Sequence, residues 1–302
     1  MTDPRSFSRL LGFLLVGIAA TAAYAQSPAD HVEHPQNVDT SRTAPVQLQH
    51  QFRPGDSNRF QLQVQVETTP YGRAIALTPS YTMRVPFTVQ TQAHSGRRTN
   101  LFVWTFGTEE LRFTGSPRPE DVQRFRDGLQ GSRVQRVIND TGERVETRLA
   151  ARVDDAPFSP HALLVDLTNL AVPVFPAEEI RIGDAWVQDF SLAYADAEGT
   201  YQGGLRAEYT FAGYTLADGR EQILIRVRYD ARYNGPVVVP GRTTSRLDTQ
   251  GRGQGDGYLL VDPRTGALHA HHFTLGVVMY ANVVNTPRTT QLVRITGSIR
   301  RP

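Results

Sequence analysis

The pattern that most constrains the fold is an alternation of apolar and polar side chains with a period of two residues. Between positions 60 and 67 every second residue is apolar, and the residues between them are glutamine or glutamate. Successive side chains of a β-strand point to opposite faces of a sheet, so this pattern predicts a strand with one buried and one solvated face. The alternation recurs at residues 223–229, where Arg226 and Arg228 separate apolar residues. These segments favour an antiparallel sheet.

Turn sequences separate the strand-like segments along most of the chain. Thr141-Gly142 and Asp218-Gly219 each lie between two such segments, and a two-residue turn that contains glycine is typical of a β-hairpin. Residues 116–129 and 161–171 instead have apolar residues at helical spacing. We therefore predict a mostly β fold with two short helices. The antiparallel curved sheet or sheets would form a barrel, a half-barrel or a sandwich.

One turn sequence occurs twice, each time before a strand. Arg53-Pro-Gly-Asp56 precedes the first strand, and Arg181-Ile-Gly-Asp184 precedes an aromatic strand. Thr141-Gly142 and Thr265-Gly266 follow these turns in the same order and at similar spacing. The pairs indicate a possible internal duplication. The alternative is that glycine turns before strands look alike in any antiparallel protein.

The N-terminal residues predict the destination of the chain. Arg5 and Arg9 precede an apolar run at residues 10–20, and Ala23-Tyr24-Ala25 is a small-x-small cleavage site, so residues 1–25 are predicted as a secretory signal peptide. Spanning a bilayer takes ~20 apolar residues, so we expect no integral membrane span after signal cleavage. The predicted location is the periplasm or the exterior of the cell.

The remaining chain divides into three predicted regions. Residues 26–47 are polar, contain several prolines and show no periodicity, which predicts a disordered linker. Residues 48–172 form a first β-rich half that contains the two short helices. Residues 173–302 form a second β-rich half.

Composition excludes several classes of protein. Cysteine is absent, so there are no disulfides and no thiolate metal site, and the apolar core must stabilise the fold. Basic and acidic residues number 32 and 30, which gives a formal net charge of +2. A charge this close to zero gives no reason to expect nucleic-acid binding.

Motifs with strong chemical signatures are missing from the sequence. There is no G-x-S-x-G, no H-E-x-x-H and no phosphate-binding loop, and we expect no cofactor. The run Gly-Arg-Gly-Gln-Gly-Asp-Gly at residues 251–257 resembles a dinucleotide-binding fingerprint. That motif requires a helix after it, whereas a strand-like segment follows here. The glycines are therefore predicted to mark bulges or a bend in a strand.

Three histidines near the C-terminus are the best candidates for metal binding. They are His269, His271 and His272. On a strand His269 and His271 project from the same face, and Asp262 or another acidic residue could complete a zinc or copper site. The alternative is that these histidines lie near a hairpin and make ordinary hydrogen bonds. A hydrolase or metal-dependent enzyme that uses His269 and His271 is accordingly a second functional hypothesis.

Aromatic residues on the predicted strands define a candidate ligand-binding surface. Large aromatic residues in strands usually belong to the core. In a curved sheet they can also line an apolar cavity that holds a lipid or another hydrophobic molecule. The candidate ligand-binding residues are Trp104, Trp186, Phe190, Tyr194 and Phe273.

Three motifs between residues 160 and 280 carry a resemblance to known proteins. They are the proline-rich turn at Pro173–Pro176, the strand start Gly183-Asp184-Ala185-Trp186, and the hairpin Gly257–Gly266. Their order resembles families of uncharacterised exported bacterial β-proteins, which look similar to the periplasmic lipoprotein-carrier half-barrels. The resemblance implies a half-barrel fold. The chain departs from the lipoprotein members because it lacks a cysteine at the cleavage site.

We therefore expect a non-enzymatic exported envelope protein. Its curved β-sheet would bind a hydrophobic small molecule or an envelope protein. Besides the enzyme hypothesis, a further alternative is an outer-membrane β-barrel. Against that alternative, the chain ends in Ile299-Arg-Arg-Pro302, without the terminal aromatic residue usual in such barrels.

Overall fold

In the residues that it describes, the structure, a computed structural model, has twelve β-strands in one sheet. It describes residues 34–71, 80–96, 99–108, 112–115, 123, 126–127, 133–150, 170–196, 199–238, 246–282 and 289–302. The strands are β1 (Ser57–Pro70), β2 (Tyr81–Ala93), β3 (Thr99–Phe106), β4 (Arg112–Gly115), β5 (Arg133–Asn139), β6 (Arg144–Ala150), β7 (Ala185–Asp196), β8 (Gly199–Ala217), β9 (Arg220–Val238), β10 (Arg246–Val261), β11 (Leu268–Asn282) and β12 (Thr289–Arg300).

Every strand pair is antiparallel, and the strand order is β6-β5-β3-β2-β1-β12-β11-β10-β9-β8-β7, with β4 paired to β2. The prediction of a mostly β fold with an antiparallel curved sheet is confirmed. Within the described residues the sheet is not closed into a barrel, because β6 and β7 lie at opposite ends of the order.

Each half of the chain forms its own meander of neighbouring strands. The two meanders meet where β1 pairs with β12, in register from Gln61 opposite Arg300 to Pro70 opposite Gln291. The first and last strands of the fold therefore lie in the middle of the sheet. This pairing makes one sheet from the two halves.

The two predicted helices lie mainly outside the described residues. Of the predicted helices, only Gln123, Arg126, Asp127 and residues 170–171 are described, and each of these is helical. The predicted signal peptide at residues 1–25 lies outside them as well.

The repeated turn before β1 and β7 has the same geometry in both places. In each turn the aspartate accepts a hydrogen bond from the arginine amide, at 3.1 Å for Asp56 and 2.8 Å for Asp184. The glycine has a positive φ in both turns, 99° in the first and 97° in the second. The amide of Gly55 donates to Thr91 O of β2, and the amide of Gly183 donates to Phe211 O of β8. Asp56 and Asp184 thus each stabilise the turn to which they belong.

Most of the core lies on one face of the sheet, which we call the inner face. On β1 the buried residues are Phe60, Leu62, Val64 and Val66, as the period-two pattern predicts. Alternate residues of ten strands extend this apolar cluster across the sheet. The opposite face, the outer face, carries a much smaller buried cluster around Leu224.

A segment before β1 covers that smaller cluster. Asp39 and Tyr214 exchange two backbone hydrogen bonds, at 2.8 and 3.0 Å, and Val38 packs against the cluster. Arg42 lies 4.1 Å from the centre of the Tyr214 ring and also pairs with Glu221. Residues 34–47 of the predicted linker are described, and in them Asp39 pairs with Tyr214 of β8 and Val46 pairs with Ile180. Residues 26–33 lie outside the described residues.

The glycine-rich run on β10 does not contain a bulge. The pairing of β10 with β11 shows no register shift between Asp248 and Leu260. A Cβ atom at Gly255 or Gly257 would collide with a backbone oxygen of β11. These glycines instead allow β11 to approach β10 closely.

Comparison of two glycine positions tests how closely one hairpin tip is packed. Gly266 has φ of +65°, and a Cβ there would collide with the backbone oxygen of Gln49. Gly219 has φ of +71° and has no neighbouring atom within 4 Å of that position. We expect Gly219→Ala to cost about 1 kcal/mol from backbone conformation alone. Gly266→Ala is expected to cost about 3 kcal/mol or more, because the collision adds to that strain.

Urea denaturation of the two variants measures both costs. Equal losses of stability would contradict the close approach of residues 49–50 to this tip.

Candidate ligand-binding site

One end of the inner face is closed by residues 48–52, which contact two hairpin tips at once. The amide of His50 donates to Asp140 O and the amide of Gln51 donates to Thr265 O, both at 2.8 Å. Asp140 belongs to the β5–β6 turn and Thr265 to the β10–β11 turn, so this segment connects the first half of the sheet to the second. Leu48 is buried in the same apolar cluster as the strands.

The side chain of His50 makes further contacts at this end of the inner face. Its ring stacks against Phe52 and Phe175, each with a centroid separation of 4.5 Å. Its Nε2 lies 2.8 Å from Pro173 O, and because a carbonyl oxygen only accepts, Nε2 carries the proton. Burial lowers the pKa of His50 to about 4. Hydrogen bonding to Pro173 and Gly266 raises the pKa and so offsets part of this effect. The ring is therefore neutral at neutral pH.

A second buried histidine lies on the inner face of β11. His271 Nδ1 donates to Leu170 O at 3.1 Å, which leaves Nε2 to accept the Tyr229 hydroxyl at 2.7 Å. Burial lowers the pKa of His271 to about 4 and raises the pKa of Tyr229. Both groups are neutral, and both ring nitrogens of His271 already have partners within the chain.

His269 lies apart from His271 because the strand is irregular at this point. Val261 pairs with Leu268 and the preceding residue, Leu260, pairs with Ala270, so His269 is an extra residue in β11. Leu268 accordingly lies in the main core, whereas Ala270 lies in the outer cluster. The expectation that positions 269 and 271 share a face requires a regular strand, and a bulge removes that condition.

The predicted metal ligands therefore have separate partners. His269 Nε2 lies 3.1 Å from the Asp218 carboxylate. Asp262 accepts the amides of Arg264 and Thr265 in its own turn, both at 2.9 Å. In the part of the chain that the structure describes, no group of three or more histidine or acidic residues is placed to hold a metal ion.

The predicted aromatic ligand-binding residues lie on or against the inner face where they are described. Trp104, Phe190 and Phe273 are buried in the main cluster, and Trp186 packs against it. The ring of Phe273 lies over Gly297 of β12, where a Cβ would collide with it. The backbone of Tyr194 lies on β7 opposite Tyr201, and the structure does not describe the side chain of Tyr194.

The two tryptophans differ in how their indole N–H groups are satisfied. Trp186 is partly buried, stacks on Tyr209 at 5.5 Å, and donates from Nε1 to Val174 O at 2.8 Å. Trp104 is 0% exposed and lies 5.7 Å from Phe102, ring to ring. Its Nε1 makes no hydrogen bond to any residue that the structure describes. A buried donor without an acceptor is rare in native proteins.

Sequence reasoning missed a charged residue beside Trp104. Arg136 is 1% exposed, and its guanidinium carbon lies 5.8 Å from the centre of the Trp104 ring. It pairs in register with Phe102, which places it on the inner face. The signal was available, because Val134, Arg136 and Ile138 occupy alternate positions of one predicted strand.

Comparisons with known proteins identify no family. Neither the models of protein families nor the curated proteins give a match. Among solved structures, a hypothetical lipoprotein, YmcC from Escherichia coli K12, aligns at 12% identity and a TM-score of 0.23, over 80% of this chain and 87% of that chain. Salmonella typhi OmpF in complex with daunomycin aligns at 9% identity and a TM-score of 0.24, over 81% of this chain and 98% of that chain. TM-scores this low establish neither a shared fold nor a shared function.

Among the described residues, no helix is both long enough and apolar enough to cross a membrane.

The buried histidines make stability depend on pH. An unfolded histidine takes up a proton near pH 6.5, whereas His50 and His271 do so only near pH 4 when folded. The unfolded state therefore binds more protons between these values, and stability falls as the pH falls through this window. Each histidine is expected to contribute on the order of 3 kcal/mol to the decline.

Urea denaturation between pH 7 and 4 measures this dependence. His50→Gln and His271→Gln are each expected to make the decline shallower, because glutamine does not titrate. A decline that stays as steep in both variants as in the unmodified protein would show that these histidines are not its cause.

Proposed function

We propose that this is a non-enzymatic, exported envelope protein that binds an apolar ligand on the inner face of its curved sheet. The export part of the proposal rests on the signal-peptide features of residues 1–25. The binding part rests on the chemistry of the inner face.

The observation that supports ligand binding is an aromatic wall on the strands of the first half. Phe60 stacks on Phe87 at 5.3 Å, and Phe87 lies 6.0 Å from Phe106. Phe102 contacts both Phe52, at 4.4 Å, and Trp104, at 5.7 Å. Aromatic side chains offer a large apolar contact area at low cost in side-chain entropy.

The burial of this wall bears on how a ligand could contact it. An apolar sheet face must be buried against another element or a ligand. In the described part of the chain all strands belong to one sheet, and Phe87, Phe102 and Trp104 of the wall are only 2%, 1% and 0% exposed. Residues 46–52 and 170–182 contribute apolar side chains to the cluster at the end where the hairpin tips lie. Ligand pockets are typically apolar surfaces with a few polar groups, and the N–H of Trp104 is such a group here.

Binding of the neutral fluorescent probe N-phenyl-1-naphthylamine tests the proposal. Val134, which pairs with Trp104 and is 0% exposed, lies on the wall, whereas Val187 is 42% exposed. Valine to threonine retains the shape and adds a hydroxyl. We expect Val134→Thr to weaken probe binding about fivefold, because an unpaired hydroxyl on an apolar contact costs about 1 kcal/mol.

The matched variant Val187→Thr is expected to bind the probe as the unmodified protein does. Solvent extraction of the purified protein followed by mass spectrometry provides a second measurement. The proposal fails if the probe does not bind and the extract contains no apolar molecule.

A further inference from the structure

We propose that residues 48–52, which we call the clasp, detach from both hairpin tips in acid while the sheet stays folded. Protonation of His50 triggers this opening and uncovers one end of the inner face. The opening is a property of the chain itself and does not require that the inner face bind a ligand.

His50 lies where the clasp meets both halves of the sheet. Its Nε2 donates to Pro173 O at 2.8 Å. A Cβ atom at Gly142, on one tip, would collide with His50 and with Pro173, and a Cβ atom at Gly266, on the other tip, would collide with Gln49 O. Both tips therefore touch the clasp at residues 49–50, and a change at His50 acts on both contacts at once.

The closed clasp disfavours a charge on the His50 ring. The side chain is only 6% exposed, and the rings of Phe52 and Phe175 stack against it. A charged ring in this position would lose its hydration, and burial accordingly lowers the pKa of His50 to about 4. In the open clasp the ring reaches water, where the pKa of a histidine is about 6.5. The open form therefore binds the proton more tightly, and acid favours it.

The charges around His50 oppose this effect only in part. The charged groups on the turns packed against the clasp and on its own flank are Arg53, Asp140, Glu143, Asp262 and Arg264. Of these, Asp140 acts on His50 and raises its pKa, but burial has the larger effect. Residues 173–175 carry no charge.

The clasp is held less extensively than the sheet. Among the described residues, two backbone hydrogen bonds connect it to the hairpin tips, whereas β1 pairs with β12 from position 61 to position 70. The flanks are anchored separately, since Val46 exchanges two backbone hydrogen bonds with Ile180 and the Gly55 amide donates to Thr91 O. Segments with few contacts open locally at lower cost than the whole fold. The clasp can therefore open between fixed flanks.

Thiol labelling tests the inference, because the chain has no cysteine and one introduced thiol reports one position. Leu48→Cys places the thiol in the clasp and Val64→Cys places it on β1, and both native side chains are 1% exposed. The reagent is 4,4′-dithiodipyridine, and each rate is divided by that of an unstructured peptide thiol at the same pH. We expect the rate at position 48 to rise about 30-fold between pH 7.5 and 5, and the rate at position 64 to rise much less.

Hydrogen exchange of the His50 and Gln51 amides in the unmodified protein gives a second measurement that needs no cysteine. After correction for the intrinsic effect of pH on exchange, these amides are expected to show the same rise. This measurement decides the question if Leu48→Cys does not fold.

Two histidine variants identify the trigger. His50→Gln retains a hydrogen-bonding side chain that does not titrate, and it is expected to abolish the rise in the clasp. His271→Gln removes the other fully buried histidine and is expected to leave the rise unchanged. A rate at position 48 that is independent of pH, or that rises equally at position 64, would overturn the local opening. A rise that persists in His50→Gln would overturn the role of His50.

Discussion

The pairing of β1 with β12 is the interaction on which the architecture depends. It joins the two meanders over residues 61–70 and 291–300, so that their apolar faces become one continuous surface. Without it each half would expose a long strand edge in addition to its apolar face. Residues 48–52 reinforce the connection, because they bond to a hairpin tip from each half. Long-range pairing between the ends of the chain thus creates the candidate site.

Much of the fold could be predicted from local pattern. Alternation at residues 60–67 gave the correct buried face of β1, and the repeated turn formed as expected at Asp56 and Asp184. The structure of residues 34–46 was harder to predict, because their polar composition gives no indication that the backbone of Asp39 pairs with that of Tyr214. Pairing between segments far apart in sequence depends on tertiary structure. Composition carries no direct signal for it.

The candidate site could be predicted in part. Trp104 and Phe273, two of the predicted ligand-binding residues, lie in the buried cluster of the inner face. A period-two pattern fixes the direction of a side chain in a regular strand. The same rule failed at His269, because a single inserted residue changes which face the following residues occupy. Arg136 was missed because a charged residue in a strand is ordinarily assigned to solvent. Its burial depends on neighbours contributed by other strands.

The central claim is that an apolar ligand contacts the inner face beside Trp104. The chain has two tryptophans, so in the variant Trp186→Phe all tryptophan fluorescence comes from Trp104. The decisive measurement is quenching of that fluorescence by 1-bromododecane, compared with quenching by iodide in the surrounding water. The account predicts strong quenching by bromododecane and little by iodide, because Trp104 is shielded from solvent. Fluorescence that is unchanged at saturating bromododecane would contradict the claim.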